Sequence, residues 1–127
     1  MTSLHPYWPA PQGRNINATV ALPGSKSLTN RELLLSAIAS EPTLLIAPLV
    51  SRDSQLMISA LESLGIDFQW QGGDLLVTPK ALKGPENIDC GLAGTVMRFV
   101  PPLSMLATGE ISYDGDEGAR RRPMHTT

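Results

Sequence analysis

Pro23-Gly24-Ser25-Lys26-Ser27-Leu28-Thr29-Asn30-Arg31 joins two segments of different periodicity, and that change sets the reading of the whole chain. Before it, Ile16, Ala18, Val20 and Leu22 alternate with other residues over positions 15–22, the pattern of a half-buried strand. After it, Leu33, Leu34, Ala37 and Ile38 share one stripe, which predicts a helix from about residue 27 to 39. The nine residues are therefore a turn feeding a helix start. A helix start leaves its first N–H groups without intrahelical acceptors and carries partial positive charge, so it favours a bound anion. Lys26 brings an ammonium there, Ser25 and Ser27 bring hydroxyls, and Arg31 brings a planar two-point donor. Capping accounts for the same residue types, since Thr29 and Glu32 fit the S/T-x-x-E box, and spacing alone leaves both readings open. The stretch lacks the G-x-x-x-x-G-K-[ST] pattern of a Walker A loop.

Further along, Pro42 stops the first helix and residues 43–47 form a short, nearly all-apolar run that predicts a buried strand. Pro48 breaks it. Ser51 is the expected cap of a helix over 52–64, where Leu56, Met57, Ala60, Leu61 and Leu64 recur at helical spacing ahead of Gly65. Residues 67–70 and 75–78, joined through Gln71-Gly72-Gly73-Asp74, read as a β-hairpin. Residues 79–87 are a polar connection, and 88–90 are too few to assign. A glycine-containing turn at 91–94 leads into an apolar stretch, 95–107, that predicts a helix kinked or cut short by Pro101 and Pro102. Residues 110–113 read as a strand, and 114–127 as a polar loop in which Pro123 opens a further helix. The proline-rich residues 1–13 are expected to be irregular outside whatever Tyr7 and Trp8 pack against. Strands alternating with short helices give an α/β class, with helices packed on sheet.

At 127 residues the chain holds one domain rather than two. Its 42% hydrophobic and 17% charged residues suit a globular core and exclude wholesale disorder. A net charge of −2 gives no general attraction to nucleic acid, which makes Arg120-Arg121-Arg122 a local feature. A lone cysteine, Cys90, cannot form an internal disulfide or a structural zinc site and fits a reducing compartment. No signal peptide is apparent, and no apolar run nears the ~20 residues of a membrane span. The expectation is a soluble, cytosolic protein without nucleic-acid or membrane partners. His5 and His125 lie near the ends, and Asp114, Asp116 and Glu117 lack the EF-hand ladder, so no metal and no cofactor are expected.

Two other stretches bring cations to turns. In Gly91-Leu92-Ala93-Gly94-Thr95-Val96-Met97-Arg98-Phe99, Gly94 lets a ligand approach the backbone, Thr95 stands at a helix start and Arg98 lies about one turn in. Arg120-Arg121-Arg122-Pro123 offers guanidinium forks for carboxylate or phosphate. Alone, the first is an ordinary way to begin a helix and the second an ordinary solvated loop. Together with Lys26 and Arg31 they agree in kind: local cationic pockets in an acidic chain, suited to small anionic ligands.

In order along the chain, Pro23 to Arg31, Ser51-Arg52-Asp53, Ala93-Gly94-Thr95-Val96-Met97-Arg98 and Arg122-Pro123 resemble the EPSP synthase (3-phosphoshikimate 1-carboxyvinyltransferase) family. The resemblance implies transfer of the enolpyruvyl group of phosphoenolpyruvate to the 5-hydroxyl of shikimate 3-phosphate, in aromatic amino-acid biosynthesis, with phosphate released and no metal. It implies that Lys26 is catalytic and touches both substrates, that Ser27 and Arg31 hold shikimate 3-phosphate, and that Gly94, Thr95, Arg98 and Arg122 form the phosphoenolpyruvate side. Glyphosate, which occupies that side in many members, is expected to fit beside Gly94. Leu92 stands where many members have Asn, and Phe99 where many have Pro.

The implied fold is α/β (α+β), a partial first domain of the two-domain enolpyruvyl transferase fold built from βαβαββ units. Residues 1–22 would pack with a second domain, and 23–127 would belong to the first substrate-binding domain. Family members are much longer, so the chain is expected to be an N-terminal part without useful turnover alone, of an enzyme that is monomeric when whole. The enolpyruvyl transferase acting on a UDP-sugar shares the fold but lacks the Pro-Gly-Ser-Lys-Ser turn. A stand-alone phosphate-binding or interaction module on the same scaffold is the alternative from another class.

Overall fold

The computed structural model describes residues 10–124, so the expectations placed on His5, Tyr7, Trp8 and His125 lie outside the described residues. In order come α1 (Lys26–Ala37), β1 (Thr43–Leu45), α2 (Arg52–Ser63), β2 (Asp67–Gln71), β3 (Asp74–Thr78), β4 (Glu86–Asp89), α3 (Gly94–Ser104), β5 (Ile111–Asp114) and α4 (Glu117–Arg120). Three strands make an antiparallel sheet of order β1-β3-β2, with Leu45 opposite Leu75, and Phe68 opposite Val77. The period-2 pattern puts Leu45, Leu75 and Val77 on the buried face, where α1 covers them while α2 packs on β2. β4 and β5 pair in parallel, which requires a crossover, and α3 supplies it. The three long helices pack on one another around Leu33, Met57, Leu61, Leu64, Val96 and Val100, all fully buried.

The α2 expectation holds closely. Ser51 caps it reciprocally with Ser54, and Gly65, at φ 105°, ends it in the left-handed region. The hairpin turns on Gly72, at φ 65°.

Two expectations change. Residues 15–22 form no strand, and Ile16, Val20 and Leu22 are 79%, 74% and 83% exposed. Alternation encodes a two-faced segment, but a strand also needs a neighbouring backbone, and no described strand pairs with this one. At α1 the cap is Ser25, whose hydroxyl accepts from Leu28 N–H at 3.3 Å. Thr29 is not a cap; it is buried and accepts from Leu49 N–H at 3.1 Å. A short helix, α4, ends before Pro123, and the helix expected to open at Pro123 would run through residues 125–127, outside the described residues.

Pro101 and Pro102 lie inside α3, which ends two residues later at Ser104, short of the expected 107. Burial of Val96, Val100 and Leu103 against the core outweighs the lost backbone donors, and Ser104 Oγ donates to the Pro101 carbonyl at 2.8 Å.

Cys90 sits beneath this helix, buried and next to Asp89 and Asp114. Loss of solvent, then those two carboxylates, push its thiol up to about 11. Burial likewise raises Tyr113, whose hydroxyl donates to Ser104 Oγ at 2.5 Å. A raised acid favours the protonated form in the fold. The stabilising contribution of Cys90 is therefore complete below its unfolded value and is lost as pH climbs through 11. Iodoacetamide at pH 8 is expected to alkylate the folded chain at least ~100-fold more slowly than the urea-unfolded chain, since the thiolate is the nucleophile. Equal rates in the two states would show the thiol to be accessible.

Candidate anion-binding site

Side-chain contacts tie several helix starts to one end of the molecule. Lys26 Nζ, in the first turn of α1, lies 2.9 Å from Asp53 Oδ2 in the first turn of α2. One turn on, Asn30 Nδ2 donates to Thr95 Oγ1 at 2.5 Å, joining α1 to the start of α3. The next residue, Arg31, lays its guanidinium over Phe99, 5.4 Å from the ring centroid, and donates to the Ser27 carbonyl at 3.0 Å. Arg52, the first residue of α2, donates to Asp116 Oδ2 at 2.8 Å, and Asp116 N–H bonds Gly91 O at 3.1 Å. The turn before α3 and the residue preceding α4 are thereby fixed to α2.

The start of α3 is open. Ala93 provides no side-chain cap, and the first bond reaching back to it is from Met97 N–H at 3.1 Å. The N–H groups of Gly94, Thr95 and Val96 therefore have no helical acceptor. A Cβ placed on Gly94 would stand 3.4 Å from Arg98 NH1 and 3.4 Å from Arg122 NH1. Two guanidinium groups thus converge on the bare backbone of one glycine.

Charge pairing separates the three consecutive arginines. Arg120 grips Asp114 with two bonds, 2.8 and 2.7 Å, and with Gly115 N–H holds that carboxyl down at about 2. This pairing is intact above the ordinary carboxylate range and weakens as pH falls towards 2. Arg121 pairs with Glu117. Arg122 has only a 3.4 Å contact with the Leu92 carbonyl. Among the described residues Arg31, Arg98 and Arg122 have no carboxylate partner, and they gather around the first turns of α1 and α3.

The sequence-predicted residues fall into two groups. Gly94, Thr95, Arg98 and Arg122 are brought together directly. Lys26, Ser27 and Arg31 lie on the adjoining exposed turns of α1, with Lys26 about 6 Å along the axis from Asn30 at 1.5 Å per residue. Lys26 contacts Asp53 rather than the guanidinium pair. Sequence reasoning assigned no role to Asn30 or Asp53. The signal for Asn30 was present: it is three residues before Leu33 and seven before Ala37, a polar residue on the buried stripe. Asp53 carried no such signal, because an acid in a first turn is normal helix chemistry.

A groove of about 680 Å³ opens beside this site, lined mainly by Met97, Pro101, Met105 and Tyr113, with Arg98 and the Asp114–Arg120 pair also in its wall. Its apolar lining distinguishes it from the cationic helix starts. Among the described residues no helix is long and apolar enough to cross a membrane.

Helices on an antiparallel sheet, a parallel β4–α3–β5 crossover and, among the described residues, arginines without carboxylate partners near the starts of α1 and α3 define an α/β domain with a cationic end. The family model for EPSP synthase (3-phosphoshikimate 1-carboxyvinyltransferase) matches residues 11–127, and the chain belongs to that family. Curated relatives named 3-phosphoshikimate 1-carboxyvinyltransferase include those of Kocuria rhizophila, 54% identical over 92% of this chain, and Mycobacterium ulcerans, 47% identical over 98%. The chain spans 29% and 30% of the length of those two proteins. Among solved structures, EPSP synthase from Acinetobacter baumannii superposes with a TM-score of 0.69 at 26% identity, over 84% of this chain and 25% of that one. The α/β fold, as part of the EPSP synthase architecture, agrees with the sequence expectation.

Proposed function

We propose that the joined starts of α1 and α3 form the first-domain share of a site for shikimate 3-phosphate and phosphoenolpyruvate, serving enolpyruvyl transfer to the 5-hydroxyl. The observation that carries this reading is the convergence of Arg98 and Arg122 on Gly94, without carboxylate partners, at an uncapped helix start. A phosphate or carboxylate there would meet two guanidinium forks and free N–H groups at once. Lys26, Ser27 and Arg31 on the adjoining turns suit a second anion, the phosphate of shikimate 3-phosphate.

Two anions repel, and holding both against fixed cations lowers the cost of their approach. In the reaction the substrate 5-hydroxyl gives up its proton as its oxygen bonds to C2 of phosphoenolpyruvate, while C3 takes a proton. The tetrahedral adduct then loses phosphate, and a C3 proton leaves to restore the double bond. Lys26, between the two anions, balances charge at both. Its bridge to Asp53 keeps the ammonium positioned at the α1 start when no ligand is bound. Glyphosate, an anion of similar charge, is expected to compete at Gly94.

The exposed, unpaired segment 15–22 supports a domain division in which residues 1–22 pack with a second domain and 23–127 build the first. The chain spans under a third of the length of its relatives, and the residues given supply only part of an enclosure that would exclude water from such a reaction. Calorimetric titration is expected to show weak binding of both substrates, reduced at least ~10-fold by Lys26→Ala. The 127-residue chain alone should release no phosphate above background. Enzyme-like turnover, or binding indifferent to Lys26, would overturn the proposal.

A further inference from the structure

Asn30 is the one fully buried polar side chain in α1. Its Nδ2 donates to Thr95 Oγ1 at 2.5 Å, while its Oδ1, also buried, has no hydrogen-bond partner. An apolar residue of similar size would satisfy packing without leaving a carbonyl oxygen stranded. The position therefore carries a polar duty beyond packing. That duty is visible in what Asn30 holds: Thr95 is the second residue of α3, directly after Gly94, on which Arg98 and Arg122 converge.

We infer that Asn30 is a positioning residue for the anion site, acting through the Thr95 hydroxyl. This inference rests on the function proposed above and deepens it. With Nδ2 donating to Oγ1, the single proton of the Thr95 hydroxyl is turned away from Asn30, free for an anion seated on the open helix start. The same bond fixes the first turn of α3 against α1, which sets the spacing between the guanidinium pair at Gly94 and the cations at Lys26 and Arg31. A wedge of fixed width between two cation groups discriminates a small compact anion from a larger one, since every hydrogen bond must be made without moving a helix. Neighbouring Arg31 over Phe99 braces the same joint from the solvent side.

The test uses the 127-residue chain with phosphoenolpyruvate as probe, followed through the amide resonances of Gly94, Thr95 and Val96. Four substitutions are compared: Asn30→Ala, Thr95→Val, their combination, and Thr95→Ser. Asn30→Ala should weaken binding roughly 10-fold, Thr95→Val at least as much because it also removes the hydroxyl offered to the anion, and the double variant should be no weaker than Thr95→Val alone, because Asn30 acts only through that hydroxyl. Thr95→Ser, which keeps the hydroxyl, should recover most of the affinity that Thr95→Val loses. Full affinity in Asn30→Ala, or losses that multiply in the double variant, would overturn the positioning role even if the melting temperature falls. Absence of binding by the unsubstituted chain overturns the anion site itself, which separates the two failures.

Discussion

Gly94→Ala is expected to remove phosphoenolpyruvate binding while leaving the fold as stable as before or more so. The added methyl would sit 3.4 Å from Arg98 NH1 and from Arg122 NH1, ordinary contact for the protein's own atoms. It would nevertheless fill the point on which both guanidinium groups converge, and an anion atom cannot share that space. A loss of ~100-fold, or about 2.7 kcal/mol, is the expected scale. In the other direction, Gly94 begins a helix without a left-handed φ, so alanine restricts the unfolded chain at no strain and adds about 0.4–1 kcal/mol of stability. Shikimate 3-phosphate, assigned to Lys26, Ser27 and Arg31, should lose less than threefold. Titration with each ligand beside a thermal melt checks this. Equal losses for both ligands, or a lower melting temperature, would place the anion elsewhere.

Leu61→Ala should destabilise the chain by about 2–5 kcal/mol, the cost of an unfilled cavity added to lost apolar burial. Leu61 is fully buried in α2, the helix that packs against both α1 and α3, so no surface rearrangement can refill the space cheaply. Against a typical total of about 5–15 kcal/mol, this removes a large fraction of the stability. Leu35→Ala is the matched control, because Leu35 is a helical leucine that is 62% exposed. It should cost under about 0.5 kcal/mol. Urea unfolding followed by circular dichroism at 222 nm compares the two. Similar midpoints for both variants would mean that the three helices do not share one core.

Where local rules suffice, sequence and structure agree. The apolar stripe of α2, its Ser51 cap and Gly65 stop, and the Gly72 turn depend on residues within a few positions of one another. Rules of that range failed where partners are distant. Alternation at 15–22 was legible, yet whether it pairs depends on a backbone that no described strand supplies. The helix expected through Pro101 and Pro102 is present, but how far it runs depends on burial of Val100 and Leu103 against the core, and it ends at Ser104. The Thr29–Glu32 capping pattern was locally sound, but Leu49, twenty residues on, claims the Thr29 hydroxyl instead.

The candidate site divides in the same way. Lys26, Arg31, Gly94, Thr95, Arg98 and Arg122 could be singled out from residue type and position at turns, since glycine and cations at a helix start carry their chemistry locally. Which of the arginines remain unpaired could be read only in part: Glu117 and Arg121 are four residues apart on one helix, but Arg52 reaches Asp116 across 64 positions, and whether Arg98 and Arg122 find a carboxylate depends on packing. Asn30 and Thr95 are 65 positions apart and meet only when α1 and α3 pack. The amino-acid order determined the elements, their caps and the family, through interactions spanning a turn or a hairpin. Tertiary structure alone decided which cations stay free and which helix starts share one end, because ion pairing and burial depend on distances that chain separation does not fix.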